Sequence, residues 1–148
     1  MGIMTKFRSM SNAKIQSSAT VPLPLTPPKR ILVVISDAKA KNTYTQLLLT
    51  QHFEVVAVEN GAEGLNMLLT YHPDIILLDL NLPIMDGRVM LHSLRALPQY
   101  KATPVIVISD SGDIDTIHQV KAYDNANELF VKANITPEIV INSIKLHS

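Results

Sequence analysis

The chain has no cysteine, which excludes disulfides and thiolate-held metals and fits a reducing compartment. No apolar run approaches the ~20 residues of a membrane helix, so a soluble, cytoplasmic protein with no membrane contact is expected. Glycine occurs only five times in 148 residues and is absent from "SDAKAKN", residues 36–42. A glycine-rich phosphate loop after the first apolar run is thereby excluded, which argues against a nucleotide-binding enzyme. Acidic residues are missing from the first 30 positions, where Lys6, Arg8, Lys14, Lys29 and Arg30 give +5. Those charges are spread out and accompanied by one aromatic, Phe7, a weak basis for nucleic-acid binding.

What is present points to one folded unit behind a tail. Hydrophobic residues make up 47% of the chain and charged residues 18%, enough for a substantial core. Residues 31–148 carry 8 basic and 13 acidic side chains, so the acidic part balances the basic tail. Serines at 9, 11, 17 and 18 and prolines at 22, 24, 27 and 28 describe an extended, poorly packing leader. Its composition also resembles an organelle transit peptide, but it has two arginines and no clear amphipathic face. The expected boundaries are a disordered tail over 1–29 and a folded domain over 30–148.

From residue 30 onward, short apolar runs alternate with helix-period segments. "ILVVI" (31–35), "FEVVAV" (53–58), "DIILL" (74–78), "PVIVI" (104–108) and "LFV" (129–131) read as strands. Between them Ala40, Tyr44, Leu47 and Leu48, then Leu65, Leu68 and Leu69, then Met90, Leu94 and Leu97 recur at helical spacing. A fourth helix near 112–123 would use Ile114, Ile117 and Val120. Thr136 and Pro137 form a start signal for a last helix packed through Ile139, Val140, Ser143 and Ile144. This alternation predicts an α/β fold with a five-stranded parallel sheet and helices on both faces.

Ligands of such sheets sit beyond the carboxyl ends of the strands. Ser36 and Asp37, Asp79, Ser109 and Asp110, and Lys132 all fall at those ends. A buried carboxylate needs a reason, and Asp79 at the end of "DIILLD" has two. It could accept a phosphoryl group, with lysine and hydroxyl holding the oxygens and Mg²⁺ offsetting charge. Alternatively Asp79 and Lys132 form a structural pair, with Ser109 an ordinary strand-end hydroxyl. Spacing does not choose between them.

The segment "PDIILLDLNLPIMDG" (73–87) resembles the phosphoacceptor segment of response-regulator receiver domains, the CheY-like family of two-component systems. The similarity runs through "ENGAEGLNML", "PVIVIS" and "NANELFVK", over about residues 30–146. It implies a flavodoxin-like, doubly wound sheet of order 2-1-3-4-5. It also implies Asp79 as phosphoacceptor, Ser109 as switch hydroxyl, Lys132 as phosphate-binding lysine and the Asn81 backbone carbonyl as a Mg²⁺ ligand beside Asp79. The implied partners are a histidine kinase or phosphotransfer protein and a downstream effector. That effector would dock on the face of the fourth helix, fifth strand and fifth helix, where two copies could also pair.

Departures from the family pattern concentrate at the metal. Ile35 and Ser36 stand where the family has two acids, with Asp37 one place later as the remaining candidate ligand. Asp110 replaces a small residue, Leu129 an aromatic and Ala133 a proline, while Asn125 stands for a glycine. The expectation is a stand-alone receiver, not an enzyme, that acts by docking in a phosphorelay and undergoes weak or atypical Mg²⁺-dependent phosphorylation. The alternative is a phosphorylation-independent pseudo-receiver adaptor.

Overall fold

The computed structural model describes residues 26–148; the basic, Ser-rich part of the tail lies outside the described residues. Five parallel strands, β1 (Arg30–Val34), β2 (Glu54–Val58), β3 (Ile75–Asp79), β4 (Val105–Ser109) and β5 (Glu128–Val131), pair in the order 2-1-3-4-5. The helices are α1 (Ala38–Thr50), α2 (Gly61–Thr70), α3 (Gly87–Arg95), α4 (Ile114–Ile117, continued by a π-helical turn over His118–Tyr123) and α5 (Pro137–Leu146).

Strand alternation divides the core into two layers. Ile31, Val33, Ile75, Leu77, Ile106 and Ile108 meet Tyr44 and Leu48 of α1 and Val140, Ile141 and Ile144 of α5. Leu32, Val34, Ile76, Leu78, Val105 and Val107 meet Leu68, Met90, Leu91, Leu94 and Val120 on the other face. β1, β3 and β4 are covered on both faces, which is why they read as unbroken apolar runs. Asp79 has the parity of Ile75 and Leu77, so its side chain belongs to the α1/α5 side of the sheet.

Several element expectations need adjusting. β1 starts one residue before its apolar run and β3 and β4 one residue after theirs, so Asp79 ends β3 as expected and Ser109, expected just beyond β4, is its last ladder residue. Leu69, Ile139 and Ile114 are exposed, and Ile117 is only partly covered. Apolar character at helical spacing overestimated the buried stripe: α1 buries only Tyr44 and Leu48, and no residue of Ile114–Ile117 is buried. The fourth helix changes winding at His118, where the pattern gave no warning. Thr136 makes no side-chain capping bond; Pro137 at the first turn has no N–H to cap, and the next carbonyl bond runs from Ile139 to the Thr136 backbone.

Two polar devices hold the far end of α3. The Arg95 guanidinium donates to the carbonyls of Tyr100, Thr103, Asp124 and Asn125. Burial pulls its pKa down, opposed by the Asp124 charge. Asp124 is itself buried and accepts from or pairs with His92 Nδ1 at 2.9 Å. Asn125, next to it, is left-handed at φ 55°, a conformation asparagine tolerates. At the other end of α4, Asp113 caps Thr116; hydrogen bonds from Ser111 and Thr116 hold its carboxyl down to about 2.

Candidate functional site

The carboxyl ends of β1, β3, β4 and β5 converge on Asp79, which is 2% exposed. One carboxylate oxygen, Oδ1, accepts the Asn81 backbone N–H at 2.8 Å. The other, Oδ2, meets Lys132 Nζ at 2.8 Å. Lys132 follows Phe130 by two positions, and Phe130 packs on the α1/α5 layer. The same parity that aims Asp79 therefore aims Lys132, and the two meet across the end of β4. The Lys132–Ala133 peptide is not cis, and the lysine reaches Asp79 without the proline expected after it.

Lys132 has a second carboxylate. Its Nζ lies 3.1 Å from Asp110 Oδ1, so one ammonium spans a buried and an exposed acid. Burial alone would lower the lysine pKa, but hydrogen bonds and charge from Asp79 and Asp110 outweigh it and the net shift is upward. Asp110 stands where the resemblance calls for a small residue. Its partner here is the lysine. The backbone explains its placement: Asp110 N–H donates to Asn81 Oδ1 at 3.0 Å, which ties the β4 end to the β3–α3 loop.

Ser109 is buried, but its hydroxyl points along its own loop. It donates to the Ser111 carbonyl at 2.8 Å and accepts the Ser111 N–H at 3.1 Å. Ser36 reaches the Asn81 carbonyl at 3.5 Å, and Asp37 caps α1 by accepting the Ala40 N–H at 2.8 Å. Asp37 lines the same cleft as Asp79 and Lys132. Tyr44, in the wall of that cleft, has its phenol pKa raised, first by burial and then by Asp79 and Glu138.

These donors do not suit a Mg²⁺ ion. A hard dication takes several oxygens, usually with more than one carboxylate or phosphate among them. Ile35 is fully buried in the α1/α5 layer and offers none. Both Asp79 oxygens are engaged, and the Asp37 carboxylate serves the helix cap. Among the described residues no group of three or more His, Asp or Glu side chains is arranged to hold a metal.

The His92–Asp124 pair and the Arg95 hub were not foreseen. The histidines lack metal-ligand spacing, and partners 32 and 29 residues apart leave no local signal.

Comparison with known proteins agrees with the fold. The cell cycle transcriptional regulator CtrA of Caulobacter vibrioides is 37% identical over 87 residues, covering 59% of this chain and 37% of that protein. CtrA of Brucella ovis is 36% identical over 86 residues, covering 58% and 36%. The chain thus spans little more than a third of the curated relatives it matches. Among solved structures, the phosphorylated cyanobacterial phytochrome response regulator RcpA is 33% identical, with a TM-score of 0.66 over 80% of this chain and 89% of that one. CheY4 of Vibrio cholerae, at 23% identity, shares the fold with a TM-score of 0.74 over 82% and 99%. The model of the response regulator receiver domain matches residues 31–144, from the first strand into the last helix, and the chain belongs to that family.

Proposed function

We propose that this receiver acts in two-component signalling mainly by docking, with Asp79 as a phosphoacceptor that is modified weakly because its metal site is degraded. Receiver domains generally bind Mg²⁺ for phosphorylation and interact with histidine kinases or phosphotransfer proteins. The observation that carries the reading is the single ammonium of Lys132 shared by Asp79 and Asp110, beside Ile35 and Ser36 at the acid positions. With the acceptor held in an ion pair and little to draw a dication, Mg²⁺ affinity falls and attack on a phosphodonor slows.

Exposed apolar side chains on the fourth helix favour docking. Ile114, Ile117 and Tyr123 expose apolar side chains along α4, whose π-helical end packs against β5. A downstream effector, or a second copy, would use that face. No helix among the described residues is long and apolar enough to cross a membrane, and a cytoplasmic site of action is part of the proposal.

The hydrogen bonds of Ser109 favour a second reading, the phosphorylation-independent adaptor. A hydroxyl already bonded to Ser111 in both directions must break those bonds to meet a phosphoryl group. Incubation with Mg²⁺ and a small acyl phosphate, followed by intact-mass analysis, separates the readings. The expected result is a minor phosphorylated fraction that disappears in Asp79→Asn. Rapid, near-complete labelling at Asp79 would contradict a degraded site, and no labelling at all would select the adaptor.

A further inference from the structure

Between the first half of α1 and the turn into α5 lies a cleft of about 530 Å³, with Asp79 and Ile108 at its floor. That is within the roughly 300–1,000 Å³ of small-molecule sites, which combine apolar walls with a few aimed polar groups. The apolar wall comes from Tyr44, Ile108 and Ile135. Asp79 is engaged at both oxygens by Asn81 and Lys132, and Asp37 at one oxygen by the Ala40 N–H.

The donors remain available. Lys39, Thr43 and Tyr44 line the cleft, and their side chains make no hydrogen bond or ion pair among the described residues. Tyr44 carries its phenol proton at neutral pH and is therefore a donor, and burial and nearby acids push its pKa further up. Lys132 uses two of its three ammonium protons on Asp79 and Asp110. A ligand that fits must bring acceptors on an apolar body. Its charge is limited as well: Lys39 is the one unmatched cation of the cleft, and Asp37 and Asp79 oppose any second negative charge.

We propose that this cleft binds a flat, mostly apolar monoanion, a carboxylate on a hydrocarbon body. The carboxylate meets Lys39 and the Thr43 hydroxyl, and the body lies between Tyr44 and Ile135 above Ile108. Such a ligand sits against the Asp79–Lys132 pair and gives the domain a chemical input that requires neither metal nor phosphate. The proposal goes beyond weak phosphorylation and does not depend on it.

The test is a titration of 2-naphthoate into the isotopically labelled full chain, followed by NMR without Mg²⁺ or phosphodonor. Saturable shifts are expected at Thr43, Tyr44, Ile108 and Ile135, with a Kd of about 0.1–1 mM. Lys39→Ala, an exposed helix position, should weaken naphthoate about tenfold, the cost of one partly desolvated ion pair. The same variant should leave the uncharged methyl ester unaffected, and inorganic phosphate should give no saturable shift in the cleft. Absence of saturation, shifts confined to other surfaces, or equal naphthoate affinity in Lys39→Ala would overturn the proposal. Because metal and phosphodonor are absent, none of these results bears on whether Asp79 is phosphorylated.

Discussion

Replacing Lys132 by methionine destabilises the fold by about 2–3 kcal/mol, below the 3–5 kcal/mol typical of breaking a fully buried pair because the lysine is partly solvated. The two ends of the pair are unequal. Asp79 is 2% exposed, so methionine leaves a carboxylate in the core with only the Asn81 N–H for company. Asp79→Asn leaves an ammonium that still holds Asp110 and is one-third exposed at its side chain. That variant should cost less than Lys132→Met, and adding Lys132→Met to it should cost under about 1 kcal/mol. A buried pair need not add net stability, so the coupling is the informative quantity, read by urea unfolding of the two single variants and the double. Equal losses for Lys132→Met in both backgrounds would mean that the pair is not energetically real.

The same pair sets a pH signature. The folded-state pKa of Lys132 is raised, so its contribution is fully present below the unfolded lysine value of about 10.4 and is lost as pH rises through the higher folded value. The wild type should therefore lose stability in alkali more steeply than Lys132→Met.

The second large effect comes from Gly87, where β3 hands over to α3. A Cβ built there would lie 2.4 Å from the Asp79 carbonyl oxygen and 2.6 Å from Leu80 Cα, both backbone atoms with no rotamer to yield. Gly87 N–H also donates to the Leu80 carbonyl at 3.1 Å, which fixes that close approach. Gly87→Ala should cost about 3 kcal/mol, the upper end of overpacking penalties, and shift the Asp79 and Asn81 amides. Gly64→Ala is the control. There the added carbon meets the flexible tip of Met90, Cε at 2.7 Å and Sδ at 2.8 Å. Methionine can move, and alanine gains helix propensity of about 1 kcal/mol, so the net change should be small. If the two substitutions cost the same in denaturant unfolding, the contact between α3 and the acceptor strand is looser than described.

Much of this arrangement was legible in the sequence because it follows from periodicity. Apolar runs at β1, β3 and β4 announce strands covered on both faces, and their alternation places Asp79 and Lys132 on one side. The "DLNLPIMDG" motif singled out Asp79, which the fold places at the end of β3, and Ile35 and Ser36 stand where the resemblance led us to expect acids. What stayed hidden depends on side-chain direction or on distant partners. Nothing local tells that Ser109 bonds Ser111 or that Asp110 turns to Lys132, 22 residues away. The winding change at His118 and the Arg95 hub depend on how α3 and α4 meet, which no single segment encodes.

Asp79 shares the Lys132 ammonium with Asp110, while Ile35 and Ser36 stand where the resemblance calls for two metal-binding acids. The most direct measurement is an NMR titration with Mg²⁺, with and without beryllium fluoride, on the wild type and on Asp79→Asn. The prediction is no saturable shift at Asp79, Asn81 or Lys132 up to about 10 mM metal, a ceiling near the weakest specific affinities. Saturation at lower concentration, lost in Asp79→Asn and spreading to Ser109 and Lys132 with beryllium fluoride, would contradict it and restore an ordinary phospho-switch.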